Sequence, residues 1–129
     1  MLALNMHKES SYTSLPFYLA ECRKRIFAAT YQQDKMTSLL TDRPPRLIRR
    51  YSNCKMPLDL SDADLLVEDP MQPFNIQLGL TQDGWCTSPR YSGSSWARMR
   101  FKLATFYEEI LENVFEPLTP EYVARMRQV

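Results

Sequence analysis

The sequence predicts an all-α fold: two long amphipathic helices plus shorter helices joined by long irregular loops, together a fragment of a larger helical domain. Three observations carry that expectation. Apolar residues recur at steps of three and four in two long stretches, from Leu15 to Leu40 and from Trp96 to Phe115. That spacing is the mark of a helix with one buried stripe. Proline follows both, as Pro44 and Pro45 after the first and Pro117 after the second. Finally, three glycines against nine prolines in 129 residues are too few for hairpin-rich β architecture or phosphate-cradling loops.

Taken in order, Met1 to Lys8 reads as the C-terminal end of a helix whose start lies upstream, because Leu2, Ala3, Leu4 and Met6 come without an N-cap. His7 would sit near the end of that helix as a surface or capping histidine; no second histidine accompanies it. Glu9 to Pro16, with three serines, a threonine and a proline, reads as a loop. Ser14 can cap the next helix and Pro16 can occupy its first turn. That helix, Phe17 to Leu40, would be about 36 Å long at 1.5 Å per residue. Its expected buried stripe is Leu15, Leu19, Cys22, Ile26, Phe27, Thr30, Tyr31, Leu39 and Leu40, with Arg23, Lys24, Gln32, Gln33 and Lys35 mostly on other faces. Arg43-Pro44-Pro45 ends it, since proline forces its predecessor out of the helical region and lacks the donor a helix needs.

Arg46 to Tyr51 reads as a short helical turn or an extended segment, and Cys54 to Leu58 as extended chain. Ser61 then caps a single turn with Asp62 and Asp64 in the favoured acidic positions. Residues 67–95 read as an irregular connection inside the single domain 1–129, long enough to be functional or mobile, with Trp85 and Phe74 pinned to the core. Ser94-Ser95 would cap the second long helix. Its expected stripe is Trp96, Met99, Leu103, Phe106, Ile110, Val114 and Phe115, widened by Tyr107 and Leu111, with Glu108, Glu109 and Glu112 outside. Thr119-Pro120-Glu121 reads as the start of a further helix carrying Tyr122, Val123 and Met126.

Composition narrows the function classes. Sixteen basic and fifteen acidic residues give a net charge of +1, so no global field favours nucleic acid or an anionic membrane. The longest apolar runs are a few residues, far below the roughly 20 a membrane span needs. Cys22, Cys54 and Cys86 form no CxxC pair and fit no zinc-site spacing. This sparse, odd set points to free thiols in a reducing compartment. No dinucleotide, P-loop, HExxH or GxSxG motif occurs.

Candidate chemical residues each have a plainer role. Arg43, Arg46, Arg49 and Arg50 could line a nucleic-acid or nuclear-import patch. A solvated turn in which Arg43 pairs with a carboxylate fits the near-zero net charge better. Glu21 and Arg25 have the i,i+4 spacing of a helix pair worth about 0.3 kcal/mol. Asp34 is expected to pair with Arg43 across the helix end, since no nucleophile or base accompanies it. Cys22, on the apolar stripe, reads as a small buried hydrophobe.

Glu21-Cys22-Arg23-Lys24-Arg25-Ile26-Phe27, then Tyr31, Asp34-Lys35, Asp42-Arg43-Pro44-Pro45 and Met56-Pro57-Leu58, resemble the fungal-specific transcription factor domain. That domain is the helical middle homology region of fungal zinc binuclear cluster regulators. The family pattern has an arginine where Lys24 stands, bulkier residues at Ala28-Ala29 and a glycine at Asp42. Residues 2–66 carry the likeness well and the remainder loosely; Trp96 to Phe115 is similar to a later family helix. The resemblance implies structural signature roles for Glu21, Arg23, Arg25, Asp34, Arg43, Pro44 and Pro45, with no catalytic, cofactor-binding or metal-binding residue. It implies a nuclear, non-enzymatic regulatory region that meets protein partners, an effector or other parts of the regulator, the identity of any small-molecule effector being open. Zinc and DNA contact would belong to a six-cysteine domain that three scattered cysteines cannot build. The alternative is a stand-alone helical interaction module without DNA binding. A small enzyme or a nucleic-acid binder using Arg43–Arg50 is the remaining reading.

Overall fold

The computed structural model describes residues 5–67, 72–88 and 90–115, together with positions 120, 121, 124 and 127. It is all-α, with four α-helices, two of them long, and no strand among the described residues. A short 3₁₀ turn, Glu9–Tyr12, precedes α1, Phe17–Thr41; another, Arg49–Tyr51, follows it. Then come α2, Asp62–Leu65, α3, Gln72–Leu78, and α4, Gly93–Phe115. Packing of α1 against α4 organises the molecule. Of the two expected terminal helices, residues 1–4, Tyr122, Val123 and Met126 lie outside the described residues, and Asn5 to His7 form a turn.

Helix α1 begins with Pro16 at the cap position and no side-chain cap hydrogen bond, so Ser14 does not serve as expected. Proline holds the extended geometry that an N-cap needs while its carbonyl accepts the Ala20 N–H at 3.0 Å. At the other end Asp42 adopts the left-handed conformation (φ 52°, ψ 46°) and donates its N–H to Ser38 O. Aspartate is among the residues that tolerate this geometry. Arg43-Pro44-Pro45 then leads the chain away.

Phe27, Tyr31 and Leu111 are buried as expected, but for the most part the buried faces differ from the expected stripes. On α1 they comprise Ala20, Glu21, Phe27, Ala28, Tyr31, Lys35 and Ser38, whereas Leu19, Cys22, Ile26, Leu39 and Leu40 are exposed. On α4 they comprise Ser94, Ser95, Arg98, Ala104, Glu108 and Leu111, whereas Trp96, Met99, Leu103, Phe106, Ile110 and Val114 face outward. The physical reason is that these inward polar residues find partners inside the chain, Arg98 Nε alone among their buried side-chain nitrogens and oxygens having none, so most of the cost of burying them is offset. The small residues Ala28 and Ala104 are buried on α1 and α4 respectively. Phe27, Tyr31, Leu47 and Ala104 form the core, with Cys54 and Phe101 packed against it. Each large apolar side chain buried there contributes about 1.5–3 kcal/mol.

The segment after α2 is more ordered than its composition implies. Ser61 and Asp64 make the expected capping box, Asp64 N donating to Ser61 Oγ at 3.2 Å and Ser61 N to Asp64 at 3.1 Å. Within the stretch 67–95, expected to be irregular, lie α3 and an antiparallel bridge between Leu80 and Cys86. Pro73 falls in the first turn of α3, where no helical N–H is needed. A tight turn closes the bridge, with Gly84 at φ 81° donating to Thr81 O. A side chain there would meet Leu58 Cδ2 at 3.0 Å and Arg98 at 3.3 Å. Helix α4 is capped earlier than expected, at Ser92, two positions before Ser94: Ser92 Oγ accepts from Ser95 N, and Ser95 Oγ accepts from Ser92 N.

Candidate functional site

The buried polar groups of α1 and α4 fall into two clusters. The first centres on Glu108, 5% exposed. Its carboxylate accepts the Tyr31 hydroxyl, the Arg49 N–H at 2.9 Å, and the Lys35 ammonium at 3.3 Å. Lys35 is fully buried; it also donates to Leu47 O and to Asp34 at 3.0 Å, and lies 4.2 Å from the centroid of the Tyr31 ring. Asp34 accepts the N–H groups of Arg46 at 3.1 Å and Leu47 at 2.9 Å. One lysine between two carboxylates therefore ties α1, the turn after it and α4 into one unit. Burial, with the hydrogen bond to Glu108, pushes the Tyr31 phenol well above its usual pKa.

The second cluster clamps the extended segment Pro57–Leu60. Glu21, 2% exposed, accepts Leu58 N–H at 2.9 Å and Lys24 Nζ at 3.0 Å. Arg98 is buried, donates to Pro57 O and to Asp83 O at 2.5 Å, and stacks 4.4 Å from the Trp85 ring centroid. Burial lowers its pKa, opposed by Asp59, Glu21 and Asp83. Asp59 accepts from Ser95 Oγ at 2.6 Å, Cys86 N at 3.1 Å, and Ser92 and Ser94 hydroxyls at 3.3 Å. Burial works against its charged form, but these bonds together hold the carboxyl below its usual range. Nearby, Tyr12 donates to Met6 O and lies 3.4 Å from Cys54 Sγ. Burial raises both the phenol and the thiol.

The signature residues are distributed over this frame in ways sequence spacing did not foresee. Glu21 pairs with Lys24 instead of Arg25. Arg25 reaches out of the helix to Asp62 and Leu60 O, each at 2.6 Å. Asp34 holds backbone of the following turn instead of the Arg43 side chain. Arg43 is exposed and contributes its N–H to Ser38 O at 3.3 Å; Pro44 is exposed and Pro45 half-buried in the same turn. Arg23 is half-buried near the Tyr12 phenol and joins neither cluster. Sequence reasoning missed Glu108, expected outside, and Lys35, expected on another face, and did not single out Arg98 or Asp59. The first two positions carried a signal, since Glu108 lies four after Ala104 and three before Leu111, and Lys35 four after Tyr31.

Phe27, Tyr31, Cys54, Met56 and Phe101, with Arg49 and Lys102, line a cavity of about 530 Å³. Among the described residues no group of histidine, cysteine, aspartate or glutamate side chains is placed to hold a metal ion. No helix among them is long and apolar enough to cross a membrane. Comparison with curated proteins and with solved structures found no match. The family model of the fungal specific transcription factor domain matches residues 1–122, nearly the whole chain. The chain belongs to the fungal specific transcription factor domain family.

Proposed function

We propose that this chain is the regulatory region of a fungal transcription factor and works in the nucleus through contacts with other parts of the regulator, an effector or protein partners. It performs no chemistry of its own in this reading. One observation carries it: the ionisable side chains that a catalyst would need are engaged in holding the scaffold. Asp34, Lys35 and Glu108 bond to one another and to the backbone of Arg46, Leu47 and Arg49, and Glu21 to Leu58. Family membership supports the regulatory role. DNA contact belongs to a zinc cluster that Cys22, Cys54 and Cys86 cannot form.

A second reading, a stand-alone interaction module without DNA binding, draws on the apolar residues that α1 and α4 turn outward. Tethering tests the regulatory role. Fused to a heterologous DNA-binding domain in a fungal cell, the chain should change reporter output several-fold, and Lys35→Met should abolish the change. An unchanged reporter with folded fusion protein present would overturn the regulatory reading. Chromatin occupancy of the endogenous product separates the two: enrichment at defined promoters supports the regulator, and none the stand-alone module.

A further inference from the structure

Helix α4 presents its widest apolar face to solvent. Trp96 is 60% exposed, Met99 51%, Leu103 48%, Phe106 59%, Ile110 39% and Val114 61%. Successive steps of three, four, three and four from Trp96 to Ile110 follow the 3.5-residue period of a helix–helix seam, in which such residues interdigitate with a facing helix. The outward face of α1 lacks this continuity, since Gln33 and Thr37 interrupt the run between Ile26 and Leu40.

Charge on the edges of the seam selects the partner. At 100° per residue, Lys102 and Glu109 fall on the same edge, seven positions apart, too far to pair within one helix. Both are exposed, and neither enters an ion pair among the described residues. Lys102 Nζ rests 5.4 Å from the Trp85 ring centroid, an exposed contact it can exchange for a carboxylate. A two-fold axis between Leu103 and Phe106 would bring Lys102 of each copy to Glu109 of the other, twice over. On the opposite edge Arg100 would meet Tyr107. The layers would be Leu103 on Phe106, Met99 on Ile110 and Trp96 beside Val114. A parallel arrangement would set Lys102 against Tyr107 and create no Lys–Glu pair.

We propose that α4 is the interface of an antiparallel homodimer, with this seam as its core and reciprocal Lys102–Glu109 pairs fixing its direction. Sedimentation equilibrium of the full chain tests it. The wild type should be dimeric. Lys102→Glu and Glu109→Lys should each weaken dimerisation by about tenfold, through loss of two pairs and gain of like-charge contacts. The double reversal K102E/E109K should restore wild-type affinity to within about threefold, because each copy again offers opposite charges. Phe106→Glu should give a monomer with unchanged helical circular dichroism; were that variant unfolded, the three charge variants still decide. A wild type that stays monomeric would overturn the proposal. So would open-ended aggregation, or a double reversal no tighter than the single changes; the face would then belong to another segment or another protein.

Discussion

Tyr31 on α1 donates its hydroxyl hydrogen to Glu108 on α4, across 77 positions of sequence. Both groups are buried, so each depends on the other for a partner that water would otherwise supply. Tyr31→Phe should therefore destabilise the fold by about 1–2 kcal/mol, since Glu108 keeps Lys35 and the Arg49 N–H. Urea denaturation with an unchanged slope checks this.

Burial also raises the pKa of the Tyr31 and Tyr12 phenols. A raised folded-state pKa means that the stabilisation is complete below the unfolded value, 10.0, and is lost as pH climbs above it. Ultraviolet titration should find Tyr12 and Tyr31 still un-ionised above pH 10.0 in the folded protein. Ionisation of both near pH 10.0 in folded protein would count against the buried bonds.

Asp59 shows the opposite sign. Its folded-state pKa lies below 3.8, so its contribution is present above that pH and lost as acidification proceeds through the lower, folded value. Asp64, held down by its hydrogen bonds from Ser61 despite some burial, adds in the same direction. Asp59→Ala should cost about 1–3 kcal/mol at neutral pH. It should also make stability less steeply dependent on pH below about 4. Thermal melts across that range provide the test.

Asp42 pays a conformational cost at φ 52° that glycine would not. Asp42→Gly should stabilise by about 0.5–1 kcal/mol, and Asp42→Val should destabilise by at least as much. A rise and a fall in melting temperature, respectively, are the expected readings.

Arg98 bridges two carbonyls and covers the face of Trp85. Arg98→Lys keeps the charge but cannot span Pro57 O and Asp83 O as a planar fork does. A loss of about 2 kcal/mol, with altered Trp85 fluorescence, is expected. Removing Trp96, the other tryptophan, by Trp96→Phe isolates that signal.

Element positions were legible in the sequence because periodicity, prolines and the Ser61 box are local signals. The long helices lie where spacing put them, and Pro44-Pro45 follows the first as expected; Pro117 lies outside the described residues. Face assignment was legible only in part: Phe27, Tyr31 and Leu111 are buried as expected, the rest of the two stripes mostly not. Hydrophobicity alone would turn Leu103, Phe106 and Ile26 inward, yet the chain buries Glu21, Lys35, Arg98 and Glu108. Those four are tolerable inside only because partners distant in sequence, such as Leu58, Leu47, Pro57 and Tyr31, meet them in three dimensions. The same distance hid the true partners of Asp34 and Arg25, which pair spacing had assigned to neighbours. Helix α3 escaped notice because Pro73 and the surrounding sequence resemble loop chemistry; a seven-residue helix leaves little periodicity to read.

The central claim is that Lys35 and Glu108 act as one unit joining the signature helix to α4. A double-mutant cycle with Lys35→Met, Glu108→Gln and their combination, followed by urea denaturation, measures this directly. The account predicts a loss of about 3–5 kcal/mol for Lys35→Met, which takes from the buried Glu108 and the half-buried Asp34 carboxylates the only cation that pairs with them among the described residues. It also predicts a coupling energy of about 2 kcal/mol between the sites. Losses that simply add would show the two side chains to be independent and would contradict it.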